Sequence, residues 1–199
     1  MVHRSLRPES FIQFQFSNVK GIIFDLDDTL VQTTLDFAAI KRAIGCPTSD
    51  DILTFIHNLA CDERKAEANQ VVLEHELQDA QTSVWLPGAE AFVALAKQHA
   101  LPLAIVTRNC RQATEIKLNN NSIAIEHVIT REDAPAKPDP TALLSIANSW
   151  QIEPSDIAYL GDYIYDIQAA HNAEMQAWLY KHQVGIDDYK ACLSYIAKT

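Results

Sequence analysis

Long apolar runs are missing from this 199-residue chain. No stretch of about 18 apolar residues occurs, so no membrane span is expected. Paired cysteines are missing too. Cys46, Cys61, Cys110 and Cys192 stand apart with no CxxC spacing. That disfavours zinc and a disulfide framework, and points to a reduced, cytoplasmic protein whose cysteines pack as small apolar residues. Cations are scarce: 16 Lys and Arg face 26 Asp and Glu, for a net charge of -10. Nucleic acid is therefore an unsuitable main partner, and an anionic substrate needs local cations against the overall field. The first stretch, MVHRSLRPESFIQFQFSNV, has two arginines but no continuous apolar core behind them. It is not expected to act as a secretory signal. Internal repeats and low-complexity linkers are absent, and the seven histidines show no metal spacing.

What is present is globular. The hydrophobic fraction of 48% and charged fraction of 21% exclude wholesale disorder and collagen-like or coiled-coil architecture. Five short apolar runs, at 19–24, 102–106, 125–129, 157–160 and 176–180, suit strands covered on both faces. Helical patterns at 88–99, 111–118, 140–150 and 163–173 lie between them. This alternation predicts an α/β fold, an open Rossmann-like parallel sheet flanked by helices.

Residues 33–85 break the alternation. They contain no strand candidate and read as about three helices, with Ser49 or Asp50 as N-cap of the second. Val72, Leu73 and Leu77 make the third amphipathic, and Pro87-Gly88 marks the return to the sheet. The expected organisation is a core domain of 1–32 and 86–199 with a small all-helical cap, 33–85, inserted after the first strand.

Ligands in open α/β sheets gather at the carboxyl ends of the strands. The first strand ends in Asp25-Leu26-Asp27-Asp28-Thr29, the second in Thr107-Arg108-Asn109, and the fourth in Gly161-Asp162 with Asp166 four residues on. Ala136-Lys137-Pro138 follows the third. Asp25 and Asp27 point the same way if the chain stays extended. Such packed carboxylates repel and raise one another's pKa, which a hard divalent cation relieves. Asp162 adds a third carboxylate, and Asp166 lies one helical turn away on the same face. Lys137 supplies compensating charge. A phosphate dianion then fits beside Asp25, met by Thr107 and backbone N–H groups.

These four pieces, in this order, resemble the motifs of the haloacid dehalogenase superfamily, in its phosphoglycolate-phosphatase-like branch. The resemblance runs from about residue 19 to 180, and the helical insertion falls where one cap class of that family enters. It implies a phosphomonoester hydrolase with Asp25 as nucleophile and Asp27 as general acid and base. Thr107 and Lys137 would hold the phosphoryl oxygens. From the residues alone, Arg108 is expected either to clamp the phosphate or to form a surface salt bridge, and Asn109 to join the phosphate-binding set by fixing the loop around Asp25. Mg2+ would be held by Asp25, Asp162 and the backbone carbonyl of Asp27, with Asp166 behind them orienting Lys137 or a metal-bound water. An aspartate at position 27 separates phosphate chemistry from dehalogenation, which lacks an acid there.

Two residues depart from the pattern. Tyr163 stands where a small hydroxylated residue is common, and Glu174 where glycine is common. Asp28 is expected to make a turn hydrogen bond, Cys110 to pack, and Arg131, Glu132 and Asp133 to form a solvated turn. The expected substrate is a small phosphorylated metabolite and the expected state a monomer or weak homodimer. A nucleoside monophosphatase, a phosphomutase or another phosphotransferase would share every motif. A regulatory module without turnover fits poorly with the intact set.

Overall fold

The computed structural model describes residues 12–198. The first eleven residues, part of both the expected core and the stretch read against a secretory signal, lie outside them. Six strands form one sheet: β1 (Gly21–Phe24), β2 (Leu103–Val106), β3 (His127–Ile129), β4 (Ile157–Gly161), β5 (Gln176–Tyr180) and β6 (Leu193–Ile196). Their order is β3-β2-β1-β4-β5-β6. Neighbours pair in parallel, except that β6 runs antiparallel to β5. The five strands expected from the sequence form the parallel sheet, and β6 adds an antiparallel edge strand to it. Only Leu193 of β6 is buried, and Ser194 and Tyr195 are exposed, so the segment carries no continuous apolar run.

The central strands are covered on both sides. Alternate residues of each strand enter different clusters, as the two-residue strand period requires. Ile22, Phe24, Ile105, Leu160 and Trp178 pack with Phe92 and Val93 of α4 (Ala89–Gln98). Ile23, Ala104, Val106, Tyr159 and Ala177 pack against the opposite helices, α6 (Thr141–Trp150) and α7 (Ile164–Asn172). The turn after α7 is made by Glu174 at φ 59, the left-handed geometry that usually favours glycine.

Between β1 and α4 the chain forms α1 (Phe37–Ile44), α2 (Ile52–His57) and α3 (Asp62–Thr82). Asp36 caps α1 by accepting from Ala39 N at 2.8 Å. The cap of α2 is Asp51, which accepts from Thr54 N at 3.0 Å, rather than Ser49 or Asp50. Ile40, Ile44, Ile52, Ile56 and Val72 form a hydrophobic cluster of their own. Further along α3, Leu73, Leu77 and Ala80 pack on Cys110 and Ala113 at the start of α5 (Arg111–Asn120). The two connecting strands of chain run side by side: Gln32 N donates to Val84 O at 2.8 Å and Leu86 N to Leu30 O at 2.9 Å. Among the described residues no helix is long and apolar enough to cross a membrane.

Candidate active site

β1 is buried along its whole length, so Asp25 emerges from apolar surroundings directly at a strand end. Its backbone N–H donates to Leu160 O at 2.8 Å, which ties it to β4. Lys137, also buried, reaches under the sheet edge. Its Nζ donates to Asp25 Oδ1 at 2.6 Å, Asp166 Oδ1 at 2.7 Å and Val106 O at 3.1 Å. Asp166 is held further by Tyr159 Oη at 3.0 Å and by Tyr163 N at 2.9 Å. The large residue at 163 thus leaves this backbone contact in place. Gly161 permits it: a Cβ there would stand 2.3 Å from both Cβ and Cγ of Asp166.

Carboxylate oxygens of Asp25, Asp162 and Asp166 lie within 4.8 Å of one another. Burial pushes the Asp25 carboxyl well above its usual range, and Lys137 only partly offsets Asp166, Asp162 and Asp27. Burial, then Asp166 and Asp28, push Asp162 up to about 7. Burial opposes the Lys137 charge, yet Asp166 and Asp25 outweigh it and raise its pKa. The cluster holds more negative charge than Lys137 neutralises. Its donors are all carboxylate oxygens, the chemistry of a hard divalent cation. Both Asp166 oxygens and one oxygen of Asp25 accept hydrogen bonds within the protein, and all three acids offer an oxygen to the cluster.

Asp27 goes elsewhere. After Phe24 the chain leaves the sheet, and Asp28 turns back in the left-handed region at φ 51. Asp28 Oδ1 accepts from Thr33 N at 3.1 Å, the turn bond expected of it. Asp27 therefore does not join Asp25 in the acidic cluster. Its Oδ2 accepts from Asn109 Nδ2 at 3.0 Å, and its Oδ1 pairs with Lys117 Nζ. Thr107 is buried, and its hydroxyl accepts from Asn109 N at 3.0 Å.

Above these groups lies a cleft of about 430 Å³. The strand-end carboxylates, Thr107 and Lys137 line its floor, and Leu35, Phe37, Ile40, Ile52 and Leu53 line its other side. Arg108 spans the two sides, bonding Asp51 Oδ2 at 2.6 Å and lying 4.8 Å from the Tyr165 ring centroid. Arg131 is not part of a solvated turn. It pairs with the buried Glu76 of α3 and donates to Arg108 O at 3.2 Å. Cys110 packs as expected, with its thiol pushed up to about 11 by burial.

Sequence reasoning missed Lys117, Asp79, Glu76 and the role of Arg131. A signal for Lys117 existed. It lies four residues after Ala113, on the buried row of α5, where a lysine requires partners.

The comparisons follow the same strand ends. The haloacid dehalogenase-like hydrolase family matches residues 22–179. A haloacid dehalogenase-like hydrolase domain-containing protein of Arabidopsis thaliana is 27% identical over 161 residues, covering 75% of this chain. The chain spans 65% of that relative's length. A phosphoglycolate phosphatase of Chromobacterium violaceum is 28% identical over 185 residues, 78% of this chain and 82% of its own. The crystal structure of a hydrolase from Pseudomonas syringae superposes with a TM-score of 0.67 at 22% identity, covering 80% of this chain and 82% of that one. A match from β1 to β5, on a sheet that brings all four motifs to one edge, places this chain in the haloacid dehalogenase-like hydrolase family.

Proposed function

We propose that the protein is a Mg2+-dependent phosphatase of a small phosphorylated metabolite, acting through an aspartyl-phosphate on Asp25. One observation carries the reading. A buried Asp25 carboxylate faces a cleft, with Lys137 on one oxygen, Asp162 within reach of a shared cation, and Asp27 nearby on separate supports.

An Asp25 oxygen attacks phosphorus in line. The P–O bond to Asp25 forms, the P–O bond to the leaving alcohol breaks, and Asp27 gives that alcohol its proton. In the second half, Asp27 takes a proton from water as the water oxygen attacks phosphorus. The bond to Asp25 breaks and inorganic phosphate leaves. Lys137 and Thr107 meet the phosphoryl oxygens and offset their growing charge. Asn109 holds Asp27, and Arg108 flanks the phosphate. Asp25, Asp162 and the backbone carbonyl of Asp27 would hold Mg2+, which when bound neutralises carboxylate and phosphoryl charge.

Residues 33–85 serve as a cap in this reading. A cap that encloses the cleft excludes bulk water and admits a small soluble ester rather than a phosphoprotein. The phosphoglycolate phosphatases among the relatives support that size class. The four cysteines are free thiols, which supports a reducing compartment such as the cytoplasm.

A panel of phosphoglycolate, sugar phosphates and nucleotides, assayed with Mg2+, tests the proposal. Hydrolysis that chelator abolishes, Mg2+ restores and Asp25→Asn eliminates is the expected result. Full turnover in excess chelator, or in Asp25→Asn, overturns it.

A further inference from the structure

Lys117 is fully buried, yet it does not line the cleft. Its Nζ pairs with Asp27 Oδ1 on one side and with Asp79 Oδ2, at 2.6 Å, on the other. Asp79 is itself fixed. It accepts from Thr34 N at 2.6 Å, Thr34 Oγ1 at 2.8 Å and Thr33 Oγ1 at 3.0 Å. A chain of contacts thus runs from the linker after β1, through α3 and α5, to the half-buried carboxylate of Asp27. The other oxygen of Asp27 is taken by Asn109.

A lysine that only joined α3 to α5 would need Asp79 alone. The second arm of Lys117 reaches the carboxylate that faces the cleft. Two donors on two oxygens leave that carboxylate one orientation, and a reacting group displaced by about 1 Å loses roughly a hundredfold in rate. We propose that Lys117 is a positioning residue for Asp27, and that Asp79 with Thr33 and Thr34 holds Lys117 in place. The proposal rests on the phosphatase reading above. Lys117 acts through Asp27 and never touches substrate.

A double-mutant cycle separates positioning from bulk stability. Turnover of an alkyl phosphate and of an aryl phosphate is measured for wild type, Lys117→Met, Asp27→Asn and the double variant. Lys117→Met is expected to lower kcat on the alkyl ester by about ten- to a hundredfold with KM little changed. The loss should be much smaller on the aryl ester, whose leaving group needs little protonation. In the Asp27→Asn background Lys117→Met should cost nothing further. Should Lys117→Met not fold, Asp79→Asn takes its place in the same cycle. Equal losses on both backgrounds, or on both esters, overturn the positioning role while leaving the phosphatase reading intact. A wild type without Asp25-dependent hydrolysis of either ester overturns both.

Discussion

Asp25 and Asp27 are two positions apart and differ in almost everything around them. Asp25 is buried against Lys137, and its burial first, with the acids around it second, keeps its proton affinity high. Asp27 is half-buried and held by Lys117 and Asn109. In the proposed mechanism the first must attack and the second must move protons. Asp25→Asn should be inactive on every ester, while Asp27→Asn should slow alkyl phosphates by about 10²–10⁴-fold and aryl phosphates much less. Steady-state kinetics on the two ester types checks this, and the reverse pattern would exchange the two roles. Gly161 gives a second test. Gly161→Ala places a methyl against Asp166 in a buried strand. Overpacking of this kind costs about 1–3 kcal/mol. It should also shift the Asp166 contact with Lys137, so a fall in kcat is expected beside a lower midpoint in urea. Unchanged kinetics in Gly161→Ala would mean that the Asp166–Lys137 bond does not set the rate.

The elements were legible in proportion to how much of each face the core covers. β1 and β4 are buried throughout and read as apolar runs, which places Asp25 and Asp162 directly after their carboxyl ends. β6 was not legible, because an edge strand with one buried face has too few apolar residues to stand out. Lys117 and Arg131 escaped for a related reason. Their pairs, with Asp27, Asp79 and Glu76, join elements far apart in sequence, and no local spacing announces them. The expected N-cap of α2, Ser49 or Asp50, falls one or two residues short of Asp51 because all three suit the position. Geometry chose Asp51, which also meets Arg108. Asp51→Ala should therefore destabilise by about 0.5–2 kcal/mol through the lost cap and free Arg108 from its partner across the cleft. Asp50→Ala, whose side chain accepts only from the adjacent Ser49 at 2.8 Å among the described residues, is the control and should change little. Chemical denaturation of the pair distinguishes them, and equal midpoints would remove Asp51 as the cap.

Acidity concentrated at one sheet edge makes the fold's stability a function of pH and, with the proposed cation, of Mg2+. The carboxyl groups of Asp25 and Asp162 rise above their usual range mainly through burial, Asp162 from 3.8 to about 7. Between those values the native state holds more protons than the unfolded chain, so stability falls as pH rises through that window. Asp51, Asp79 and Asp133 have the opposite shift. Their hydrogen bonds and cationic partners prevail over burial and lower their pKa, so their contribution is lost only as pH drops below the ordinary carboxylate range. The metal-free protein should thus be most stable at about pH 4, where the two opposed trends meet, and weaken from there toward pH 8. In the proposed reading Mg2+ binds the ionised carboxylates and reverses that loss, and its effect must fade as Asp162 protonates below about pH 7. A hundredfold excess over Kd stabilises by about 2.7 kcal/mol, and each kcal/mol moves the midpoint of a chain this size by about 2–4 °C. Thermal unfolding at pH 8 should therefore rise by roughly 5–10 °C with Mg2+ and by much less at pH 5. Asp162→Asn should flatten the metal-free pH dependence and remove most of the Mg2+ shift together. A Mg2+ shift of equal size at both pH values, or one that survives Asp162→Asn, would place the cation somewhere other than this edge of the sheet.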